Sequence, residues 1–330
     1  MSRACFLSAA GDPFIALLAI RLFQERWYDE VDAFYVNYNN HAQVPKEVVA
    51  EFCSRVVKDP KIHLIYHPQG IGSGVPITEM TLLSKEDLVM LLEEDGYIFT
   101  PGAVDECFRK IEAGLVDAVG SPRFSCDQEV AEAIRNKYGL NYSSHDNYED
   151  KGPNYWPNFF FCKRKDLLRT DLDFGSHTWR SGEYCQKLDH TFKFTSHGDT
   201  FVWACIQLRA LGLRFLDVPQ HHADPYEAEN KENKEMNWRG EPMKWIHAGS
   251  LSSGWGSYLS GVIPDVSDEV AKREMETRVA FWTIASDVIE GFMEFKKEYK
   301  RGIENLIIGA SLNRGRINKK VNIYRELLNV

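Results

Sequence analysis

Along the first 125 residues, short apolar runs alternate with amphipathic stretches, and the changes of period fall at Gly, Pro or polar clusters. "ACFLSAAG" reads as an apolar strand stopping at Gly11. "DPFIALLAIRLFQERW" follows as a helix, with Asp12 as N-cap and Pro13 at the first helical position. "VDAFYVNYNN" is a second strand ending in amides, and "PKEVVAEFCSRVV" a helix again opened by proline. "KIHLIYHP" is a third strand and "VPITEMTLLS" a helix. "DLVMLLEEDGYI" reads as one fourth strand. "TPGAVDECFRKIEAG" then gives a helix with Thr100 as cap, Pro101 at N1 and Gly114 at its end, before a fifth strand in "DAVGSP".

Strands alternating with helices of this length predict an α/β fold, a mostly parallel sheet flanked by helices on both faces. Ligands of such sheets bind beyond the carboxyl ends of the strands, so "SAAGD", "VNYNN", "HPQGIGSG" and "EEDGY" belong to one edge. After residue 150 the pattern changes. "NYWPNFFFCKRKDLL" is a strand into a short turn, and "HGDTFVWACIQLRALG" an amphipathic helix with Asp199 in its first turn. "LRFLDVPQHHADPYE" is a strand running into two histidines. A polar loop bearing Trp and Gly spans 230 to 258, and two or more helices follow from about residue 266. The expected organisation is a domain over 1–262, divided near 125, with a C-terminal helical segment over 263–330.

Composition narrows the classes. The net charge of -9 argues against a surface that binds polyanions indiscriminately. From residue 296 onward, however, nine basic residues face three acids, a net of +6, which leaves -15 for the remainder. Such a run is either a solvated helical face or a contact surface for an anionic partner, nucleic acid or membrane. Seven dispersed cysteines without CxxC spacing point to free thiols in a reducing compartment. Gly11, Asp12 and Pro13 interrupt the apolar start, so neither a signal sequence nor a spanning helix is expected, and the expectation is a soluble, cytoplasmic protein.

The fourth strand ends in Glu93, Glu94 and Asp95, and buried acids are costly unless paired or metal-bound. In an extended chain Glu93 and Asp95 share a face while Glu94 turns aside. Two such carboxylates suit Mg²⁺ or Mn²⁺, which complete their shells with water and phosphate oxygens. The plainer alternative is a strand end whose acids are hydrated. "LVMLLEEDGYIFTPGAVD" resembles the apolar strand, acidic DxD-type motif and proline-started helix of the GT-A glycosyltransferases, specifically their family 2 type. "GDTFVWACIQLRALGLRFLDVPQHH" resembles the later acceptor-side helix, strand and histidine of the same family. The likeness covers roughly residues 3 to 225.

This resemblance implies a GT-A, Rossmann-like fold and a metal-dependent, inverting transfer of a sugar from a nucleoside-diphosphate sugar, with UDP favoured. It implies Asp95 as a ligand of a divalent cation, Mn²⁺ or Mg²⁺. The motif departs from Asp-x-Asp by reading Glu-Glu-Asp, which leaves Glu93 two roles, metal ligand or contact to the donor ribose; Glu94 is grouped with the donor-binding residues. Asp199 matches the acid that acts as general base towards the acceptor hydroxyl, against the alternative of a first-turn acid favoured by the helix dipole. His221 or His222 matches a histidine ligand of the metal, with His247 in "KWIHAGSLSSGWGSY" as competitor. Ser8, Ala9, Ala10 and Gly11 are small enough for a flat base to approach the backbone, and Asn37 and Asn39 offer amide donors and acceptors to it. "GIGSG" is no P-loop, since no GK[ST] follows, and the loop from 230 to 258 resembles a lid.

The runner-up activity is a nucleotidyltransferase, which would carry basic residues directly after the first strand, where "SAAGDPF" has none. A different class is a non-catalytic carbohydrate- or partner-binding domain, to which eight tryptophans are equally suited. Acceptors expected are a saccharide or glycolipid first, then a hydroxylated DNA base, with the basic C-terminal segment touching an anionic acceptor or membrane.

Overall fold

The computed structural model describes residues 1–41, 44–122, 126–140, 155–218, 237–238, 241–242, 245–247 and 266–330. The first half alternates as the pattern predicts: β1 (Arg3–Ala10), α1 (Pro13–Leu22), β2 (Ala33–Asn39), α2 (Lys46–Val56), β3 (Ile62–His67), α3 (Val75–Leu83) and β4 (Leu88–Glu93). Then come β5 (Gly96–Ile98), α4 (Ala103–Glu112), β6 (Ala118–Pro122) and α5 (Gln128–Tyr138). Asp12 caps α1 as expected: its Oδ1 accepts from the backbone N–H of Phe14 at 2.9 Å and Ile15 at 3.2 Å. Two boundaries differ. The fourth strand is two strands, with Glu94 and Asp95 in a turn between them. The fourth helix starts at Ala103 rather than near Pro101, because Gly102 sits in the left-handed region at φ 72°, a geometry that helix propagation cannot cross.

The second half runs β7 (Tyr155–Lys163), α6 (Arg164–Leu167), β8 (His177–Trp179), β9 (Tyr184–Cys185), β10 (His190–Thr191), β11 (Ser196–Gly198), α7 (Val202–Ala210) and β12 (Phe215–Asp217). Three short strands follow, β13 (Asn237–Trp238), β14 (Glu241–Pro242) and β15 (Trp245–His247). The chain closes with α8 (Glu269–Val288), α9 (Met293–Gly309) and α10 (Arg314–Leu328). Helix α5 and the small hairpins between 177 and 198 go beyond the sequence pattern. Helix α7 corrects it: Asp199 lies before the helix, not in its first turn. The cause is Phe201, held at φ 71° with its ring fully buried against Phe160 and Phe174 and its N–H bonded to the Phe174 carbonyl at 2.9 Å. Packing keeps this residue left-handed, and the helix begins only after it.

Seven strands form the central sheet in the order β12-β6-β7-β4-β1-β2-β3. All neighbours are parallel except β7, which runs antiparallel between β4 and β6. One face packs under α1, α2, α4 and the C-terminal helices, and the other under α3, α6 and α7. The expected α/β architecture, mostly parallel and helix-flanked with a helical C-terminal region, is what the chain forms. None of the seven cysteines forms a disulfide, and no helix among the described residues is long and apolar enough to cross a membrane.

The C-terminal helices share the first core. Tyr97 of β5 stacks on Phe281 of α8 at 4.6 Å, Phe281 stacks on Tyr324 of α10, and Phe14 of α1 packs on Phe295 and Tyr299 of α9. Their basic residues largely face acids of the same bundle. Arg316 grips the fully buried Glu276 at 2.8 Å and also reaches Glu269. Arg325 and Lys300 share Asp287, Arg314 pairs with Glu304, and buried Lys320 donates to Thr277 Oγ1 at 2.8 Å.

Candidate active site

The carboxyl ends of the parallel strands bring together Ser8 to Gly11 at the end of β1, Asn37 and Asn39 on β2, His67 on β3 and Glu93 on β4. The start of antiparallel β7 lies at the same edge. Glu94 folds back onto β1: its N–H donates to the Ser8 carbonyl at 3.1 Å, and its Oε1 accepts from the Ala10 N–H at 3.1 Å. This carboxylate therefore clips the acid loop to the first strand. Because the strand ends at Glu93, the alternation that would set Glu93 and Asp95 on one face is broken by the turn.

Glu94 and Asp95 are each only 4 % exposed, and Asp12 1 %. Burial pushes the Tyr97 phenol up, and the charges of Asp95, Glu94 and Asp12 push it further. Hard carboxylate oxygens of this kind suit Mg²⁺ or Mn²⁺, which need few protein carboxylates and take water and phosphate for the rest. Among the described residues, no three His, Cys, Asp or Glu side chains surround a common point, so a closed protein cage is not formed by them. Residue 247 does come to the loop: β15 pairs antiparallel with β5, setting His247 opposite Gly96, next to Asp95. Trp245, fully buried and stacked on Phe159 at 4.8 Å, pins that strand in place. His221 and His222 lie outside the described residues, as does most of the stretch from 230 to 258.

A row of polar residues crosses the sheet at this edge. Two residues further in, Tyr35, Phe6, Leu91 and Phe160 are register partners across β2, β1, β4 and β7, and all four belong to one core cluster, on the face covered by α3 and α7. One step nearer the edge, on the same face, Asn37 pairs with Ser8 and Ser8 with Glu93. With strands about 4.8 Å apart, Asn37, Ser8 and Glu93 make a polar strip about 10 Å long. On β7 the register shifts past Phe160, between its pairings with Gly120 and Pro122 of β6, and Asn158 lies in that irregular stretch beside the acid loop.

The two amides proposed for base recognition are held differently. Asn39 Nδ2 donates to the Ala9 carbonyl at 3.1 Å, tying β2 to β1. Asn37 Nδ2 donates to Glu79 Oε2 at 2.7 Å, the same oxygen that meets His67 Nε2 at 2.7 Å. Glu79 on α3 thus orients Asn37, whose Oδ1 is buried without a hydrogen-bond partner among the described residues.

Asp199 is half-buried in the turn between β11 and α7, where its Oδ1 accepts from the Thr200 N–H at 2.7 Å. Thr200 Oγ1 bonds Ser73 Oγ at 2.8 Å, which joins this turn to the glycine-rich loop. Gly74 presses on Phe174 and Gly175 so closely that a Cβ there would lie 2.2 Å from the Gly175 nitrogen. Between the loop and residues 172–176 lies a cleft of 190 Å³ that includes Ser73, Thr78 and Asp173. Sequence reasoning passed over Asp12 as a site residue, as it did Glu79, Tyr97 and Asn158. Only Asn158 carried a signal, a polar residue inside the run "WPNFFFC".

The fold and this edge together define an α/β protein with a polar, acid-rich ligand edge at the carboxyl ends of its parallel strands. No protein-family model matches the sequence, and no curated protein does either. Among solved structures, the fold is similar to that of the mannosyltransferase PcManGT from Pyrobaculum calidifontis in complex with GDP-Man and Mn²⁺, at 10% identity and a TM-score of 0.43, covering 99% of this chain and 74% of that one. It is also similar to S. aureus TarS 1-349, at 8% identity and a TM-score of 0.42, covering 100% of this chain and 90% of that one.

Proposed function

We propose that the chain is a glycosyltransferase of the GT-A, family 2 type, moving a sugar with inversion from a nucleoside-diphosphate sugar, UDP favoured, to a hydroxyl acceptor. The observation that carries this reading is the polar strip on the ligand edge, with the acid loop next to it and the helix that follows the Asp199 turn packed on the same face of the sheet. A polar strip that crosses three strands suits an extended, polar ligand better than a compact one. Asp95 is the residue that would hold a divalent cation, with the 247 position beside it, and Glu93, on the strand before the turn, would either join it or touch the donor ribose. When bound, that cation supplies charge stabilisation to the departing diphosphate.

The protein's own residues do the rest. Asp199 takes the proton from the acceptor hydroxyl as its oxygen bonds to the sugar's anomeric carbon, while the bond from that carbon to the diphosphate oxygen breaks. Ser8 to Gly11, with Asn37, cradle the nucleoside, and Glu94 keeps the Ala10 backbone in register with the acid loop. A saccharide or glycolipid acceptor ranks ahead of a hydroxylated DNA base, because the cations of the basic segment that would face DNA are largely paired within the bundle. We place the enzyme in the cytoplasm.

Calorimetric titration with UDP, GDP and dTDP, each with and without Mn²⁺, tests the reading. Metal-dependent binding of one of them is the expected result and names the donor class. Binding of none, in either condition, overturns it in favour of a non-catalytic domain.

A further inference from the structure

Asn158 lies on β7, the strand antiparallel to β4, and is fully buried. It backs the acid loop closely: a Cβ at Gly96 would lie 3.0 Å from the Asn158 carbonyl oxygen and 3.3 Å from its Cβ. Neither Nδ2 nor Oδ1 of its carboxamide has a hydrogen-bond partner among the described residues. A buried amide with both ends unmatched destabilises the fold, and leucine, of nearly the same shape, would remove the penalty. The amide makes physical sense if a ligand satisfies it.

The chemistry of the amide selects that ligand. A cation would engage only Oδ1, and a diphosphate, which has no donor, only Nδ2. Two neighbouring hydroxyls satisfy both, one accepting from Nδ2 and the other donating to Oδ1. Asn37, on β2 with β4 and β1 between it and β7, has its Nδ2 fixed by Glu79 and its Oδ1 without a partner among the described residues, which suits a single ring N–H. The edge therefore has a direction, with a nucleobase towards Asn37 on β2 and a polyhydroxy group towards Asn158 on β7.

We propose that Asn158 is a sugar-binding residue whose carboxamide takes two hydroxyls of the transferred sugar. This rests on the glycosyltransferase reading and adds to it the residue that distinguishes a nucleotide sugar from a bare nucleotide. The test is calorimetry, in Mn²⁺, of the parent, Asn158→Ala and Asn158→Leu with UDP and UDP-glucose and with GDP and GDP-mannose, together with melting curves. Both variants are expected to bind the bare nucleotide as the parent does and the nucleotide sugar about tenfold more weakly. Asn158→Leu is expected to melt no lower than the parent, since it loses no internal hydrogen bond. Parallel loss of nucleotide and nucleotide sugar would move Asn158 to the diphosphate or cation and overturn the proposal. So would unchanged binding of both, or a Leu variant melting several degrees lower, while leaving the glycosyltransferase reading intact. A parent that binds neither nucleotide nor nucleotide sugar sinks that reading, and this proposal with it.

Discussion

Tyr299→Phe removes one oxygen from the join between the C-terminal helices and the ligand edge. The Tyr299 hydroxyl donates to Asp12 Oδ2 at 2.8 Å, and both residues are buried, at 0 % and 1 % exposure. Asp12 uses its other oxygen to cap α1 immediately after Gly11, so α9 steadies the loop that follows β1. Phenylalanine keeps the ring contact with Phe14, whose centroid is 4.8 Å away, so the change is confined to the hydrogen bond. A hydrogen bond to a charged group contributes about 1.5–3 kcal/mol, and the carboxylate that loses it stays buried. We expect a loss of about 2 kcal/mol, read as a lower urea midpoint with an unchanged slope. A double-mutant cycle with Asp12→Asn should return a coupling of about 1 kcal/mol or more. A loss below about 0.5 kcal/mol would show that the hydroxyl is solvated in solution and that α9 does not hold this loop.

Four further outcomes are expected. Asp199→Asn should nearly abolish sugar transfer while leaving nucleotide affinity intact; an unchanged rate removes Asp199 from the role of base. Asp95→Ala should lose both nucleotide affinity and its response to Mn²⁺, and a variant responding as the parent does would break the metal assignment. Gly96→Ala should cost about 1–3 kcal/mol in urea unfolding, because its Cβ meets the Asn158 carbonyl at 3.0 Å and Leu92 Cδ1 at 3.1 Å; a neutral change would mean that β5 shifts freely. Arg3→Gln tests the ion cluster beneath the sheet. Burial works to raise Asp105, but hydrogen bonds from Arg3 and Arg109 outweigh it, and hydrogen bonding from Arg3 lowers Glu112. Depressed carboxyls stabilise the fold above their ordinary values of 3.8 and 4.5, and that contribution fades as pH falls through the lower folded values. The deficit of Arg3→Gln should therefore be full at pH 7 and shrink in acid, and an equal deficit at pH 7 and at about pH 2 would refute the cause.

The sequence by itself determined the alternation of β1 to β4 and β6 with α1 to α4, because those apolar periods and proline-opened helices are local signals that the tertiary fold did not override. It also put the acids of residues 93–95 at a strand end and Asp12 at a helix cap, both set by the immediate neighbours. What it left undetermined depends on partners distant in the chain. Phe201 becomes left-handed only because Phe160 and Phe174 bury its ring, and that moved Asp199 out of the helix where periodicity had placed it. The turn at Glu94 exists because β1 offers the Ala10 N–H and the Ser8 carbonyl, 84 and 86 residues away in sequence, to the same glutamate. The basic C-terminal run looked like an outward surface because its acidic partners, Glu269, Glu276 and Asp287, lie on another helix. Asn158 comes to the acid loop only because β7 pairs antiparallel with β4, a pairing of strands distant in the chain that leaves no mark in either strand alone.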